Sequence, residues 1–245
     1  MTASRPRALL EREQGADGAM QFGYCERLDA GFWAEPVNAA TNGAFLVAAL
    51  AAFWLWRRQP ARDGVALAFI LLVCAIGMGS FLFHTLPNRW TLLADVAPIQ
   101  LFAFGYFAFA LRRFFGASRL VTAAGTLAFF CLALSLSWAG RALLPAMVAG
   151  SAGYAAFLLG LIGIALALPA DLTLARPRKL LALAGLAFAV SLTTRSIDGL
   201  LCGAFPLGTH WLWHLLNALV LYLLLRATVL SGSGPGITAS AFPGR

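Results

Sequence analysis

The sequence predicts an all-α polytopic membrane protein with seven transmembrane helices, an N-terminus outside the cytosol or in an organelle lumen, and a cytosolic C-terminus. Hydrophobic residues make up 60% of the chain and charged residues only 11%, whereas about 25% of a soluble domain is charged. The apolar residues gather in seven runs, each near the ~20 residues that cross a bilayer. The net charge of +8 comes from short basic clusters between these runs, which is typical of membrane topology signals and excludes a nucleic-acid-binding surface.

The chain divides into three parts. Residues 1–36 form a polar N-terminal segment that we expect to cap the outer face, residues 37–230 form the transmembrane domain, and residues 231–245 form a Gly/Ser/Pro-rich cytosolic tail that we expect to be disordered. The predicted spans are Val37–Trp56, Val65–Leu86, Leu92–Leu111, Leu120–Trp138, Leu143–Leu168, Leu180–Leu201 and Thr209–Leu230.

The orientation follows from the distribution of basic residues. The loops after the first, third and fifth spans carry nine arginines and lysines, and the opposite loops carry two, Arg89 and Arg141. Basic residues accumulate in cytosolic loops. We therefore expect the N-terminus and the loops after the second, fourth and sixth spans to face outward.

Five polar residues fall at the outer ends of three predicted spans: Ser80, His84, Asp95, His210 and His214. All three histidines of the chain are among them. Such residues are costly to place in a membrane and are functional candidates by default. The predicted topology puts all five at one depth, as a shared site requires.

The spacing of the histidines predicts a catalytic zinc site. His210 and His214 are four residues apart on one helix face, and His84 from another helix completes a set of three protein ligands with water in the fourth position. Zinc-bound water is a nucleophile at neutral pH. We expect Asp95 to carry its proton to the leaving group and Ser80 to hydrogen-bond the substrate carbonyl. A Ser/His/Asp triad is a weaker interpretation, because it leaves the second histidine pair unexplained.

These motifs resemble the alkaline ceramidases, which belong to a wider superfamily of seven-span zinc hydrolases that includes adiponectin-receptor-like proteins. The resemblance rests on Ser80-x-x-x-His84, Asp95 and His210-x-x-x-His214, and on the N-terminal stretches Tyr24-Cys25-Glu26 and Trp33-Ala34-Glu35-Pro36-Val37-Asn38. It implies hydrolysis of the amide bond of ceramide to a sphingoid base and a fatty acid, with His84, His210 and His214 as zinc ligands and Asp95 and Ser80 as catalytic residues.

The resemblance also implies an N-terminal calcium site, at which Glu26 and Glu35 match two ligands of the eukaryotic members. Gly23 and Leu28 stand where that pattern has two further ligands, and Asp29 is a candidate substitute.

Cysteine positions predict one disulfide. Cys25 and Cys202 both fall on the outer side, which is oxidising in most settings, and the family resemblance supports their pairing. Arg195 and Asp198, three residues apart near the outer end of the sixth span, are interpreted as an ion pair on the helix surface, with support of the zinc or the lipid head group as the alternative.

The sequence therefore predicts a zinc amidase acting on a ceramide-like membrane lipid, with no obligate protein partner and with calcium as a second cofactor. We expect a bacterial inner membrane with the site toward the periplasm, and an endoplasmic reticulum or Golgi membrane as the second choice. The alternatives are a hydrolase of the same superfamily acting on a phospholipid ester, an adiponectin-receptor-like sensor with a non-catalytic metal site, and a small transporter.

Overall fold

The computed structural model describes residues 23–169 and 174–232. The tail that we expect to be disordered, beyond residue 232, and the polar segment before residue 23 lie outside the described residues. Within the described ranges all regular structure is helical and there are no strands, as predicted.

The helices of the described part are α1 (Pro36–Thr41), α2 (Gly43–Arg57), α3 (Gly64–Thr85), α4 (Arg89–Arg113), α5 (Arg119–Leu143), α6 (Ala146–Ala149), α7 (Ala152–Ala167), α8 (Ala175–Leu201) and α9 (His210–Ser231). Six helical stretches are long and apolar enough to cross a membrane, with α1 and α2 together forming one of them. The seventh apolar helix, α7, is shorter.

The fifth predicted span, Leu143–Leu168, is wrong as one continuous helix. The chain there forms α6 and then α7, whose 16 residues reach about 24 Å and fall short of the ~30 Å hydrocarbon core. Pro145 precedes α6, and Gly150 and Ser151 separate the two helices. Proline and glycine interrupt helices without lowering the mean hydropathy of a segment much, so an apolar run does not reveal the break.

Polar side chains set where three of the long helices begin. The Asp63 carboxylate accepts a hydrogen bond from the Val65 N–H at 2.8 Å at the start of α3. Asn88 Oδ1 accepts from the N–H groups of Trp90 and Thr91 at the start of α4. At the start of α5, Ser118 Oγ accepts from the N–H of Val121. These caps satisfy amide groups that have no partner within the helix.

The long helices pack in chain order into a closed ring. Each of α2, α3, α4, α5, α7, α8 and α9 contacts the next, and α9 returns to contact α2. The ring interior is filled by buried apolar side chains such as Phe69, Phe102 and Leu181. Since α9 lies beside α2 and also touches α3, residues from the last helix meet residues from the first half of the chain.

A glycine brings α3 and α4 into very close contact beside two predicted site residues. A Cβ atom on Gly79 would lie 2.0 Å from the carbonyl oxygen of Ala94. Gly79 precedes Ser80 and Ala94 precedes Asp95, so the close approach of the two backbones brings the serine and the aspartate together.

We expect Gly79→Ala to lower stability by about 1–3 kcal/mol, because the added methyl group must push the two backbones apart. The matched control is Gly163→Ala in α7, where a Cβ would meet no atom within 4 Å. That change should be neutral or stabilising, since alanine favours helix over glycine. Thermal unfolding of both variants in detergent tests this, and equal melting temperatures would contradict it.

Candidate metal centre

The three predicted histidines lie together at one end of the bundle. His84 is in the last turn of α3, and His210 and His214 are in the first turns of α9. Their ring centroids are 4.7–5.2 Å apart, and all three side chains are buried. One ring nitrogen from each lies within 4.8 Å of the others, an arrangement that suits a single metal ion.

Hydrogen bonds orient two of the imidazoles. His84 Nδ1 is 2.6 Å from Glu35 Oε2, and His214 Nδ1 is 3.0 Å from Thr41 Oγ1. The Thr41 hydroxyl can donate its own hydrogen to the carbonyl oxygen of Val37 at 2.8 Å, which leaves it to accept from the histidine. We assign the proton of both rings to Nδ1 from these partners, so that each Nε2 is free to bind a metal.

The third histidine is held through its backbone by Asp198. The Asp198 carboxylate accepts hydrogen bonds from the N–H groups of Thr209 at 2.6 Å and His210 at 2.9 Å, and from the N–H of Cys25 at 3.2 Å. Gly208 precedes these residues with φ +61°, and a Cβ there would lie 2.1 Å from Asp198 Oδ1. The carboxylate therefore caps α9 and ties it to the N-terminal segment.

The predicted ion pair between Arg195 and Asp198 is wrong. The Asp198 carboxylate serves backbone N–H groups, and Arg195 forms no ion pair with the described residues. Its guanidinium instead lies 5.2 Å from the ring centroids of both Tyr154 and Trp213, where cation–π attraction compensates part of the cost of burial. A spacing of three residues puts two side chains on the same side of a helix, but it does not determine which groups each side chain contacts.

Asp95 and Ser80 lie beside the histidines and line the same cavity. The cavity has a volume of about 210 Å³, and its polar wall also includes His210, His214 and Arg195. The Ser80 side chain lies beside the Asp95 carboxylate, to which its hydroxyl can donate a hydrogen bond. Away from this polar end the lining is apolar and aromatic, formed by residues that include Ile99, Phe102, Phe107, Phe129, Phe157 and Leu224.

Three buried polar atoms of this cavity wall have no hydrogen-bond partner among the described residues: Asp95 Oδ1, His210 Nδ1 and Arg195 Nε. A buried polar atom normally has a partner, so a missing ligand, ion or water is expected here. The described part of the chain offers three imidazoles and no fourth His, Cys, Asp or Glu ligand in this group, which is the donor set of a catalytic zinc site. The residues present therefore fit a zinc ion.

The N-terminal segment covers the metal centre. The predicted disulfide between Cys25 and Cys202 is present, and it joins the segment to the end of α8. The ring of Tyr24 lies 3.9 Å from that of His210 and 5.2 Å from that of His84, measured between centroids. Tyr24 was not among the predicted site residues, although its position next to Cys25 pointed to the same place.

Among the described residues, Glu26, Asp29 and Glu35 do not form a group of ligand atoms close enough together to hold one ion. Glu26 accepts hydrogen bonds from the N–H groups of Val37 and Asn38, and the Asp29 carboxylate accepts from the N–H of Gly31. Glu35 turns toward His84. These carboxylates therefore do not fit the calcium site that the sequence predicts.

The surroundings of Glu35 favour its ionised form. Burial opposes its ionisation, but hydrogen bonds from His84 and Asn38 and the positive charge of Arg27 hold its pKa below the ordinary value. It acts as the anionic partner of His84, a role that the sequence pattern did not predict.

A comparison with protein-family models adds an independent result. The model described as Ceramidase matches residues 22–232, which include every residue of the metal centre. The chain belongs to the ceramidase family. This membership supports a ceramide-hydrolysing activity in general and agrees with a multi-pass membrane protein. Comparison of the chain with curated proteins and with solved structures found no match.

We expect Asp198→Ala to weaken metal binding about 10–100-fold, the usual cost of losing a group that orients a ligand. The α9 backbone at His210 would lose its acceptor. Thr193→Ala is the matched control, because its exposed hydroxyl donates only within α8, to the carbonyl oxygen of Ala189. Competition with a chromogenic chelator measures both affinities, and equal values would contradict the assigned role of Asp198.

Proposed function

We propose that this protein is a zinc-dependent membrane amidase that hydrolyses the N-acyl bond of ceramide-like sphingolipids to a sphingoid base and a fatty acid. The observation that carries the proposal is the juxtaposition of three buried histidines with Asp95 and Ser80 at the polar end of an apolar cavity. Family membership supports the substrate class.

The shape of the cavity suits a long-chain lipid. Its α4 wall includes Asp95 and continues to Tyr106, eleven residues further along the helix, which corresponds to about 16 Å. An acyl chain can occupy the apolar part of this length while its amide stays beside the polar groups. Hydrophobic burial of the chain then places the scissile bond without many polar contacts.

In the proposed reaction His84, His210 and His214 would hold the zinc ion, which when bound would lower the pKa of a water molecule and polarise a carbonyl group. Asp95 accepts a proton from the attacking water through Oδ1, the oxygen that has no partner among the described residues, and later donates it to the leaving amine. Water thus adds across the C–N bond, giving a carboxylic acid and an amine.

Ser80 has one hydrogen to donate, and this limits its role. Before the reaction the hydroxyl can donate to the ionised Asp95 carboxylate. Once Asp95 has taken up a proton, it is a weaker hydrogen-bond acceptor. The Ser80 hydroxyl can then donate its hydrogen to the oxygen that was the carbonyl oxygen of the substrate amide. Ser80 therefore orients the base first and stabilises developing negative charge afterwards.

The proposed location follows from the basic loops. With the N-terminus outside, the site lies in the outer leaflet, at the periplasmic side of a bacterial inner membrane. A ceramide-like lipid would enter sideways from the bilayer and keep its tails in an apolar environment.

The decisive experiment measures zinc content per chain together with release of fatty acid from ceramides and from phospholipids. We expect about one zinc per chain for the wild type. His214→Ala should lose both zinc and amide cleavage. Asp95→Asn should keep zinc but lose about 10²–10⁴-fold in activity. Arg89→Gln, an exposed change at the start of the same α4 helix, is the matched control and should resemble the wild type.

Other outcomes would redirect the assignment. Zinc with cleavage of esters alone would favour a hydrolase of a different lipid class. Zinc without turnover of any lipid would favour a sensor of the adiponectin-receptor type. A wild-type protein without zinc would contradict the metal-dependent mechanism.

A further inference from the structure

Arg27 is a buried cation next to the metal centre. Only 6% of its side chain is exposed, and its Nε donates to Glu35 Oε1. Its Nη2 donates to the carbonyl oxygen of His84 at 2.8 Å, and its Nη1 to that of Asp29 at 3.3 Å. One guanidinium thus joins the N-terminal segment, the start of α1 and the end of α3.

The Glu35 carboxylate stands at the centre of these contacts. Its Oε1 accepts from Arg27. Its Oε2 accepts from Asn38 Nδ2 at 3.0 Å and from His84 Nδ1 at 2.6 Å. Both oxygens are therefore in use, and both are directed toward side chains of this protein.

No second metal cluster accompanies these acids in the described ranges, 23–169 and 174–232. The three histidines are the one group of three or more His, Cys, Asp or Glu ligands found there with ligand atoms close enough to hold an ion. The carboxylates of Glu26 and Asp29 accept hydrogen bonds from backbone N–H groups. The positive charge that balances Glu35 comes from Arg27.

We propose that Arg27 is a built-in cation that takes the place of a divalent metal in the N-terminal segment and, through Glu35, positions His84. A calcium ion in such a segment would be held by carboxylate and backbone carbonyl oxygens. Arg27 uses the same two kinds of acceptor, one carboxylate and two carbonyl groups. The N-terminal segment is therefore ordered without calcium.

The chemistry of guanidinium explains why arginine suits this position. Its donors form a planar, rigid fork that remains charged at all physiological pH values, so three acceptors from different chain segments can be held at fixed angles. An ammonium group has a point charge and a flexible stem, and it would not reproduce that geometry. Removing the guanidinium would leave a buried carboxylate with no full positive charge beside it, which is costly.

Arg27 acts on the metal centre indirectly. The Glu35 carboxylate holds the Nδ1 proton of His84, and Arg27 fixes the other oxygen of the same carboxylate. The guanidinium also binds the His84 carbonyl oxygen, so the ring and the backbone of one ligand are restrained together. Arg27 is thus a positioning residue. The positioning role of Arg27 rests on the proposed function only because that function makes His84 a metal ligand.

The first test needs no variant. Calcium at about 10 mM, which exceeds the weakest dissociation constants of extracellular calcium modules, is added to the purified wild type and the melting temperature is recorded. We expect no shift. A rise of several degrees that saturates with calcium would overturn the proposal, because a ligand that binds only the folded state must stabilise it.

The second test uses Arg27→Ala, with Arg89→Ala as the matched control that removes the same charge from an exposed position at the start of α4. We expect Arg27→Ala to melt at a lower temperature and to bind zinc about 10–100-fold more weakly. Methylguanidinium in the millimolar range should restore part of both properties in this variant and change neither in Arg89→Ala. Zinc affinity and melting temperature equal to those of Arg89→Ala would overturn the proposal, and so would equal responses to methylguanidinium.

Arg27→Lys keeps the proposal testable if Arg27→Ala does not fold. It retains the positive charge but loses the planar set of guanidinium donors. Its zinc affinity should therefore lie below that of the wild type, and neither calcium nor methylguanidinium should change that affinity. Wild-type affinity in Arg27→Lys would contradict the need for a planar donor. A protein that binds no zinc would contradict the proposed function, while the calcium and melting-temperature results would still decide the role of Arg27.

Discussion

Three imidazoles that share one metal must each present an unprotonated nitrogen to the same point, and the structure at this end of the bundle depends on that constraint. His84 and His214 meet it because Glu35 and Thr41 hold their Nδ1 atoms. Both partners belong to the chain at the beginning of the first span, not to α3 or α9. The histidine ligands are therefore oriented by a segment that carries no ligand of its own.

The same constraint explains why the ring of helices has to close. The N-terminal segment reaches α9 through Asp198, which caps the helix that carries His210, and through the disulfide between Cys25 and Cys202. The contact of α9 with α1 then brings Thr41 within reach of His214. Each of these links joins residues 25–41 to residues 198–214, so the metal centre depends on contacts between distant parts of the chain.

The sequence predicted the histidines, the serine and the aspartate because each has a local signal, a polar residue at the end of an apolar run. It also predicted the disulfide, from topology and family resemblance. It did not predict the partners that orient these groups. Glu35 and His84 are 49 residues apart and Thr41 and His214 are 173 apart, and no periodicity within a helix encodes such pairs. The family resemblance suggested Glu35 as a calcium ligand, whereas its carboxylate contacts an imidazole and a guanidinium.

The distribution of hydrogen bonds separates the groups that build the site from those that face its cavity. Glu35 and Asp198 have partners for both carboxylate oxygens. Three atoms without partners among the described residues belong instead to cavity-lining side chains, Asp95 Oδ1, His210 Nδ1 and Arg195 Nε. A saturated carboxylate holds its neighbours in place but has little capacity left for a substrate. The unsaturated one, Asp95, retains an acceptor at the polar end of an apolar cavity, and it is for this reason that we assign the proton transfer to Asp95 and the positioning of ligands to the others.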